Sequence, residues 1–422
     1  MTEKDNGTTQ YPEQENKEGS ATSSEVTSTP EVVTVVETAE EKQLASDGGE
    51  KPEQSVKKKR VKKILWNIFL VAIIAAGILA MFGIVREIDP DKSGSFTDAL
   101  KSVSPLFACL FIAAVLGIML FDTLKYCIIQ KTVTGKVRLS SSLKVNILGK
   151  YYDAVTPFAT GGQPMQIYYL STKGISGGNS SAIVLIRYVT SILSWIILGG
   201  VLMIYGSVKG VLAGVTGAGA TTLQVCGWVG IGVNLIIPVF VLLFLILPKF
   251  MYKLTSGVVK LGNKMKIVKD VEKTTAKATK VVDDFKSAFK IMATTPLNFI
   301  LLMLVSFAEA ALTFSIPFFV MNAFSCNLDA SMFLTVMSLN AFATFGASFI
   351  PTPGNSGVIE GMGAVAFWGV AAGSSVVWSV LFWRLGVYYI YIIIGIIITV
   401  TDIIRKSVKA RKQKKANQVK ND

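Results

Sequence analysis

The sequence contains no histidine. That removes imidazole acid–base catalysis, histidine metal ligands and any Ser–His or Cys–His nucleophile. Cysteine is scarce: Cys109, Cys127, Cys226 and Cys326 lie far apart, and no CxxC occurs. They read as small packed residues, not as a metal site or disulfide framework. Charge is thin as well. Asp, Glu, Lys and Arg make up 17% of the chain against 51% hydrophobic residues, and long stretches have no charge at all. Residues 64–85 (ILWNIFLVAIIAAGILAMFGIV) are one such run. At about 1.5 Å per residue it reaches roughly 33 Å, enough to span a bilayer.

Similar runs occupy 104–121, 188–206, 225–247, 297–321, 331–350 and 375–401. Glu309 and Arg384 are single charges inside two of them. The fold class expected is all-α, a polytopic helical membrane protein. The first run follows about 60 polar residues and is too long for a cleavable signal.

What charge there is sits unevenly. Residues 1–56 hold 13 acids and 4 bases, so they carry −9 of a net +14 and leave +23 to the rest. This acidic, Thr- and Ser-rich stretch cannot bury enough apolar area to offset its ordering entropy, so disorder is expected. The basic excess lies in KKKRVKK (57–63), in 249–290 with 11 lysines and 4 acids, and in 402–422 with 8 bases and 2 acids. These clusters flank apolar runs. They point to anionic inner-leaflet lipids and the positive-inside rule, and away from nucleic acid. The 249–290 segment places Ile267, Val271, Val281, Phe285 and Phe289 roughly on one helical face, as in a helix lying on lipid headgroups.

Topology follows from the lysines. Both termini read as cytoplasmic. The 86–103 and 207–224 loops fall outside, and 125–144 (KYCIIQKTVTGKVRLSSSLK) forms a basic inside loop. Both ends of 145–180 are then inside, so a re-entrant pair of half-helices is expected there, with its core at 145–170. Parity requires a short outward crossing at 356–373. The count is about eight crossings, seven full and one short, with a re-entrant loop and an odd count as the other reading. The organisation expected is an acidic tail (1–56), a first membrane half (57–248), the basic segment (249–290), a second half (291–401) broken at 350–373, and a basic tail (402–422).

Two polar, helix-breaking segments stand out: YYDAVTPFATGGQPMQ (151–166) and PTPGNSGVIE (351–360). Pro157 and Pro164 lack amide hydrogens, and Gly161-Gly162 permits unusual dihedrals. In a membrane, exposed backbone groups are costly unless a ligand, water or other chain meets them. An arginine follows each break: Arg187 in SAIVLIRYVTSILSW and Arg384 in SVLFWRLGVYYIY. Broken segments at matching positions of two antiparallel halves suggest an inverted repeat with a groove site between them. Intramembrane charges need partners, and Asp122, Asp153, Glu309 and Glu360 are the carboxylates available. Two readings stay open. The arginines lock the bundle through these acids, or at least one grips a lipid phosphate bidentately. Asp122, close to Lys125, reads as interfacial. Glu309 reads as deep enough to need a partner.

The segments TPFATGGQPMQIYYL with LIRY, and PTPGNSGVIEGMGAVAF with FWRL, resemble the membrane region of the bacterial lysylphosphatidylglycerol synthases, the multiple peptide resistance factors, and their stand-alone flippase-like relatives. The likeness covers about residues 60–405. It implies a lipid translocase of the bacterial plasma membrane, linked to cationic peptide resistance. It carries motif positions onto Pro157, Gly161, Gly162, Gln163, Arg187, Pro353, Gly354, Gly357, Glu360 and Arg384. The family's full-length members add a cytosolic aminoacyl-transferase domain. Only 20 residues, 8 of them basic, follow Asp402, so translocation is the activity expected here.

The substrate expected is an anionic or aminoacylated phospholipid, with Asp153 and Glu360 meeting a headgroup amine or shuttling protons. No cofactor, metal or catalytic residue is expected, and a lipid-modifying enzyme is a candidate partner. A membrane-embedded transferase on lipid-linked substrates and a regulatory subunit are the rival readings.

Overall fold

The computed structural model describes residues 96–156, 159–215, 217–246, parts of 252–263, 270–371 and 373–419. The run at 64–85 and the acidic and basic stretches before it lie outside the described residues.

The described chain is helical, with no β-strand among the described residues. A short helix α1 (Phe96–Lys101) leads into α2 (Pro105–Thr134), with proline in its first turn and Gly135 at φ 68° closing its last. Proline lacks an amide hydrogen that the first turn cannot use, and glycine takes the left-handed cap without strain. Next come α3 (Leu139–Ala154), α4 (Gly162–Ser171) and α5 (Gly177–Lys209). The α5 N-terminus is capped by Ser176, whose Oγ accepts from the Asn179 amide at 3.2 Å. Then follow α6 (Ala218–Ile246), α7 (Val271–Ala293), α8 (Pro296–Ala323) and α9 (Phe333–Ala347). The chain ends with α10 (Val358–Trp368), α11 (Ser374–Arg384), a π-helical turn (Leu385–Tyr389) and α12 (Ile390–Val419).

Six stretches are long and apolar enough to cross a membrane: 105–134, 177–209, 218–241, 296–323, 330–347 and 375–402. They coincide with the six charge-poor runs after the first. The apolar helix expected to cross at 356–373 is only the 11 residues of α10. It reaches about 17 Å, roughly half the hydrocarbon thickness.

The buried side chains form two main apolar cores. One joins Ala114–Ile118 of α2, Leu202 and Met203 of α5, and Phe314–Met321 of α8 to α9, α10 and α11. The other joins Tyr126–Ile129 of α2, Ala182–Val189 of α5, and Leu302 and Val305 of α8 to α3, α4 and α7. On α2, α5 and α8 alike, charged or polar residues occupy the turns between the two cores. That shared level is where the site lies.

Two expectations change here. The lysine-rich helix packs an apolar edge against the bundle: Ala288 and Met292 of α7 are buried in the second core of the same chain, and Val282 is buried as well. The basic loop expected from 125 is instead the last third of α2, and Lys125 is buried within it.

Candidate functional site

The polar level holds five charged side chains in contact. Lys125 Nζ lies 2.8 Å from Asp122 Oδ1 and 3.5 Å from Glu309 Oε2. Lys150 Nζ lies 2.5 Å from Asp122 Oδ2, and Arg187 Nη1 lies 3.6 Å from Asp122 Oδ1. Three cations thus share two carboxylates. Asp122 is 1% exposed, Lys125 0% and Glu309 4%. Asp122 is therefore no interfacial residue but the hub of the cluster. Lys125 also donates to Ser191 Oγ at 2.8 Å. Glu309 accepts from Trp195 Nε1 at 3.1 Å and Thr313 Oγ1 at 3.2 Å. The Arg187 guanidinium stacks over the Tyr126 ring at 5.3 Å, and Lys150 over Tyr391 at 4.7 Å.

The first break separates α3 from α4. Asp153 Oδ1 accepts from the Gly162 amide at 2.8 Å, and Thr156 Oγ1 accepts from the Gly161 amide at 2.9 Å. A Cβ on Gly162 would fall 2.4 Å from the Asp153 carboxylate, so glycine is required for this closure. Pro157 lies outside the described residues.

The second break precedes α10. Arg384 Nε donates to Glu360 Oε1 at 2.8 Å and Nη2 donates to the Gly354 carbonyl at 3.3 Å. Glu360 Oε2 accepts from the Gly357 amide at 2.7 Å. The π-turn after Arg384 widens the helix by one residue, a distortion often found at functional sites. It brings Tyr388 under the guanidinium, 4.2 Å away, and the Tyr389 hydroxyl to 3.4 Å from Glu360. Gly354, at φ 55°, faces the Tyr388 ring so closely that a Cβ would fall 2.2 Å from it.

Tyr388 also joins the two breaks. Its hydroxyl lies 3.0 Å from the Ala154 carbonyl at the end of α3 and 3.3 Å from the Pro353 carbonyl. The two arginines therefore occupy different settings. Arg384 is enclosed by partners from its own chain, with Glu360 as its acid. Arg187, paired with Asp122 at longer range, faces open space.

That space is a cavity of about 620 Å³. Asp122, Lys125, Lys150, Asp153, Gln163 and Arg187 are in its wall, as are Glu309 and Asn355. A smaller cavity of about 150 Å³ reaches Arg384 and Tyr391, and the two share Lys150, Trp195, Glu309 and Thr344. Of the expected site residues, Asp153, Gln163, Arg187 and Glu309 meet at the large cavity, whereas Pro353, Gly354, Gly357, Glu360 and Arg384 build the wall behind it. Lys125, Lys150 and Trp195 were not foreseen. For Lys125 a signal existed in helical phase: no proline or glycine interrupts the chain from Ile118 to Thr134, so Asp122 and Lys125 share a helix face, but nothing in that run shows which way the face points.

Residues 66–395 match the family model described as the lysylphosphatidylglycerol synthase TM region. The chain belongs to this family. None of the individually curated proteins matches it. Membership makes the chain an integral membrane protein related to lysylphosphatidylglycerol synthesis. It also gives the polar cavity between apolar cores a lipid context.

Proposed function

We propose that this chain moves a phospholipid headgroup across the hydrocarbon layer of a bacterial plasma membrane, with both termini cytoplasmic. The observation that carries the reading is the buried cluster in which Lys125, Lys150 and Arg187 share Asp122 and Glu309 at the edge of a cavity of about 620 Å³. A single intramembrane charge costs at least about 2.5–3.5 kcal/mol by insertion scales. Lys125, Lys150 and Arg187 all present donors at the cavity, and a lipid phosphate is an anion that a bilayer supplies to them. Arg187 offers a planar fork to it, and Lys150 a point charge. Acyl chains would remain in lipid while the headgroup occupies the cavity. An anionic or aminoacylated phospholipid fits this arrangement, and resistance to cationic peptides would follow from its outward movement.

The test is reconstitution of the purified chain into liposomes with a fluorescent phosphatidylglycerol. Transbilayer movement is expected, and Arg187→Lys should reduce it about tenfold or more while leaving the folded fraction unchanged, because lysine keeps charge but loses the fork. Wild-type movement in Arg187→Lys, or none in the unmodified chain, would sink the reading.

A further inference from the structure

The turns that lead into α3 and α5 enclose a further cavity, of about 480 Å³. It shares no lining residue with the large one. Gln130 and Leu170, which are 3% and 0% exposed, line its buried part. Three basic residues reach its wall from two turns: Lys136 and Arg138 between α2 and α3, and Lys173 between α4 and α5. Among the described residues no carboxylate lines this cavity, and none of the three cations is paired with an acid. The acids that meet the same elements are taken elsewhere. Asp402 pairs with Lys144 at 2.6 Å, and Asp284 accepts from Ser176 Oγ at 3.3 Å.

The backbone that carries the cations is held in place. Thr134 Oγ1 donates to the Gln130 carbonyl at 2.8 Å and accepts from the Lys136 amide at 3.4 Å. The Arg138 carbonyl accepts from the Ser141 and Ser142 amides, both at 3.0 Å. The Lys173 amide donates to the Leu170 carbonyl at 3.0 Å, and its ammonium lies over the Tyr169 ring at 5.3 Å. Gln130 Nε2 donates to Ser142 Oγ at 3.0 Å, which fixes the amide in the wall.

Three like charges around one cavity repel one another, and a multiply charged anion relieves them best. A phosphate monoester carries about −1.5 to −2 at pH 7 and three acceptor oxygens. A guanidinium grips two of these oxygens, and each lysine adds a point charge. The cavity lies within the roughly 300–1,000 Å³ of small-molecule sites and exceeds a bare phosphate, so it has room for a polar organic part beside Gln130 and Ser141. We propose that Lys136, Arg138 and Lys173 form a site for a phosphate monoester, separate from the lipid cavity. The proposal stands whether or not the chain moves lipid. Two sources present this chemistry, a water-soluble ester and a lipid that ends in a phosphate.

Two binding measurements on the full chain in neutral detergent separate them. Glycerol 3-phosphate is titrated by calorimetry at constant ionic strength. Phosphatidic acid, with phosphatidylglycerol of the same acyl chains as the diester control, is offered in mixed micelles and weighed on the protein by native mass spectrometry. Saturable binding of one monoester per chain is expected. Replacing Lys136, Arg138 and Lys173 together by glutamine should weaken it about tenfold or more, the scale of one charge-assisted hydrogen bond. Lys209→Gln, Lys280→Gln and Lys290→Gln together remove the same charge from exposed positions outside the cavity and should leave binding unchanged. Saturation by glycerol 3-phosphate assigns a soluble ester. Saturation by phosphatidic acid alone, in excess over phosphatidylglycerol, assigns a lipid. Binding of neither monoester, equal binding of phosphatidylglycerol and phosphatidic acid, or the same affinity in the two triple variants overturns the site.

Discussion

Arg384 has a set of partners within its own chain: the Glu360 carboxylate, the Gly354 carbonyl and the Tyr388 ring. It is 4% exposed and Glu360 1%. Removing one member of such a pair leaves a buried charge alone and costs about 3–5 kcal/mol, whereas removing both is close to neutral. Arg384→Met should therefore lower the unfolding temperature sharply, and Arg384→Met with Glu360→Gln should recover most of it. If the double variant melts no higher than the single, the pair is not the lock. Gly354→Ala tests the same corner through the backbone. At φ 55°, with the Tyr388 ring 2.2 Å from the new Cβ, it should destabilise by about 1–2 kcal/mol or more. An unchanged melting curve would show that the break is softer than its geometry implies. At this scale the sequence was readable where a charge stood alone among apolar residues, as Arg187, Glu309 and Arg384 do. It was not readable for Lys125 and Lys150. Each lies beside polar sequence that resembles a cytoplasmic loop, and only the helix around it shows that it points inward.

The elements repeat the lesson with their ends. Hydropathy alone stops the second apolar run near 121, but α2 continues to Thr134 because its stop signal is Gly135. The two breaks were legible from clustered proline and glycine, Pro157, Gly161, Gly162 and Pro164 in one and Pro351, Pro353, Gly354 and Gly357 in the other. What each break closes on was not legible, because Asp153 and Tyr388 reach it through tertiary contacts. The lysine-rich α7 shows the opposite failure. Its amphipathic pattern was plain, but a face suited to headgroups is also suited to a neighbouring helix. The structure buries it, with a Cβ on Gly178 of α5 falling 2.1 Å from Asp284 of α7. Met292→Asp would place a carboxylate at a site that is 1% exposed. An unpaired buried charge is far costlier than an exposed one, so this variant should accumulate poorly and melt early. Lys290→Asp, on the exposed face, should behave like the unmodified protein. Equal stability of the two would mean that α7 leaves the bundle in the membrane.

Across the whole molecule the polar level has a definite depth. Counting about 1.5 Å per residue, Arg187 lies about 15 Å from the start of α5 at Gly177 and Glu309 about 20 Å from the start of α8 at Pro296. On the same scale Asp122 lies about 18 Å from the end of α2 at Thr134. All three ends border lysine-bearing loops or α7, the side that the positive-inside rule makes cytoplasmic. On the proposed orientation, the agreement of three helices would put the cluster between the cytoplasmic headgroups and the bilayer midplane. A headgroup can then enter from the inner leaflet without first crossing the apolar core formed by α9, α10 and α11. A single reporter tests this. Leu185 is in the wall of the large cavity, and all four native cysteines are free thiols that serine can replace. In that background Leu185→Cys should react with a water-soluble maleimide in inside-out vesicles and stay unreactive in intact cells. Added phospholipid should slow the reaction, because a headgroup in the cavity covers the thiol. Single cysteines at Gly217, expected outside, and Ser256, expected inside, calibrate the orientation in the same experiment. Reaction of Leu185→Cys from the outer surface, with both calibrants behaving as expected, would mean that the cavity opens to the opposite leaflet and that loading from the cytoplasmic side is wrong.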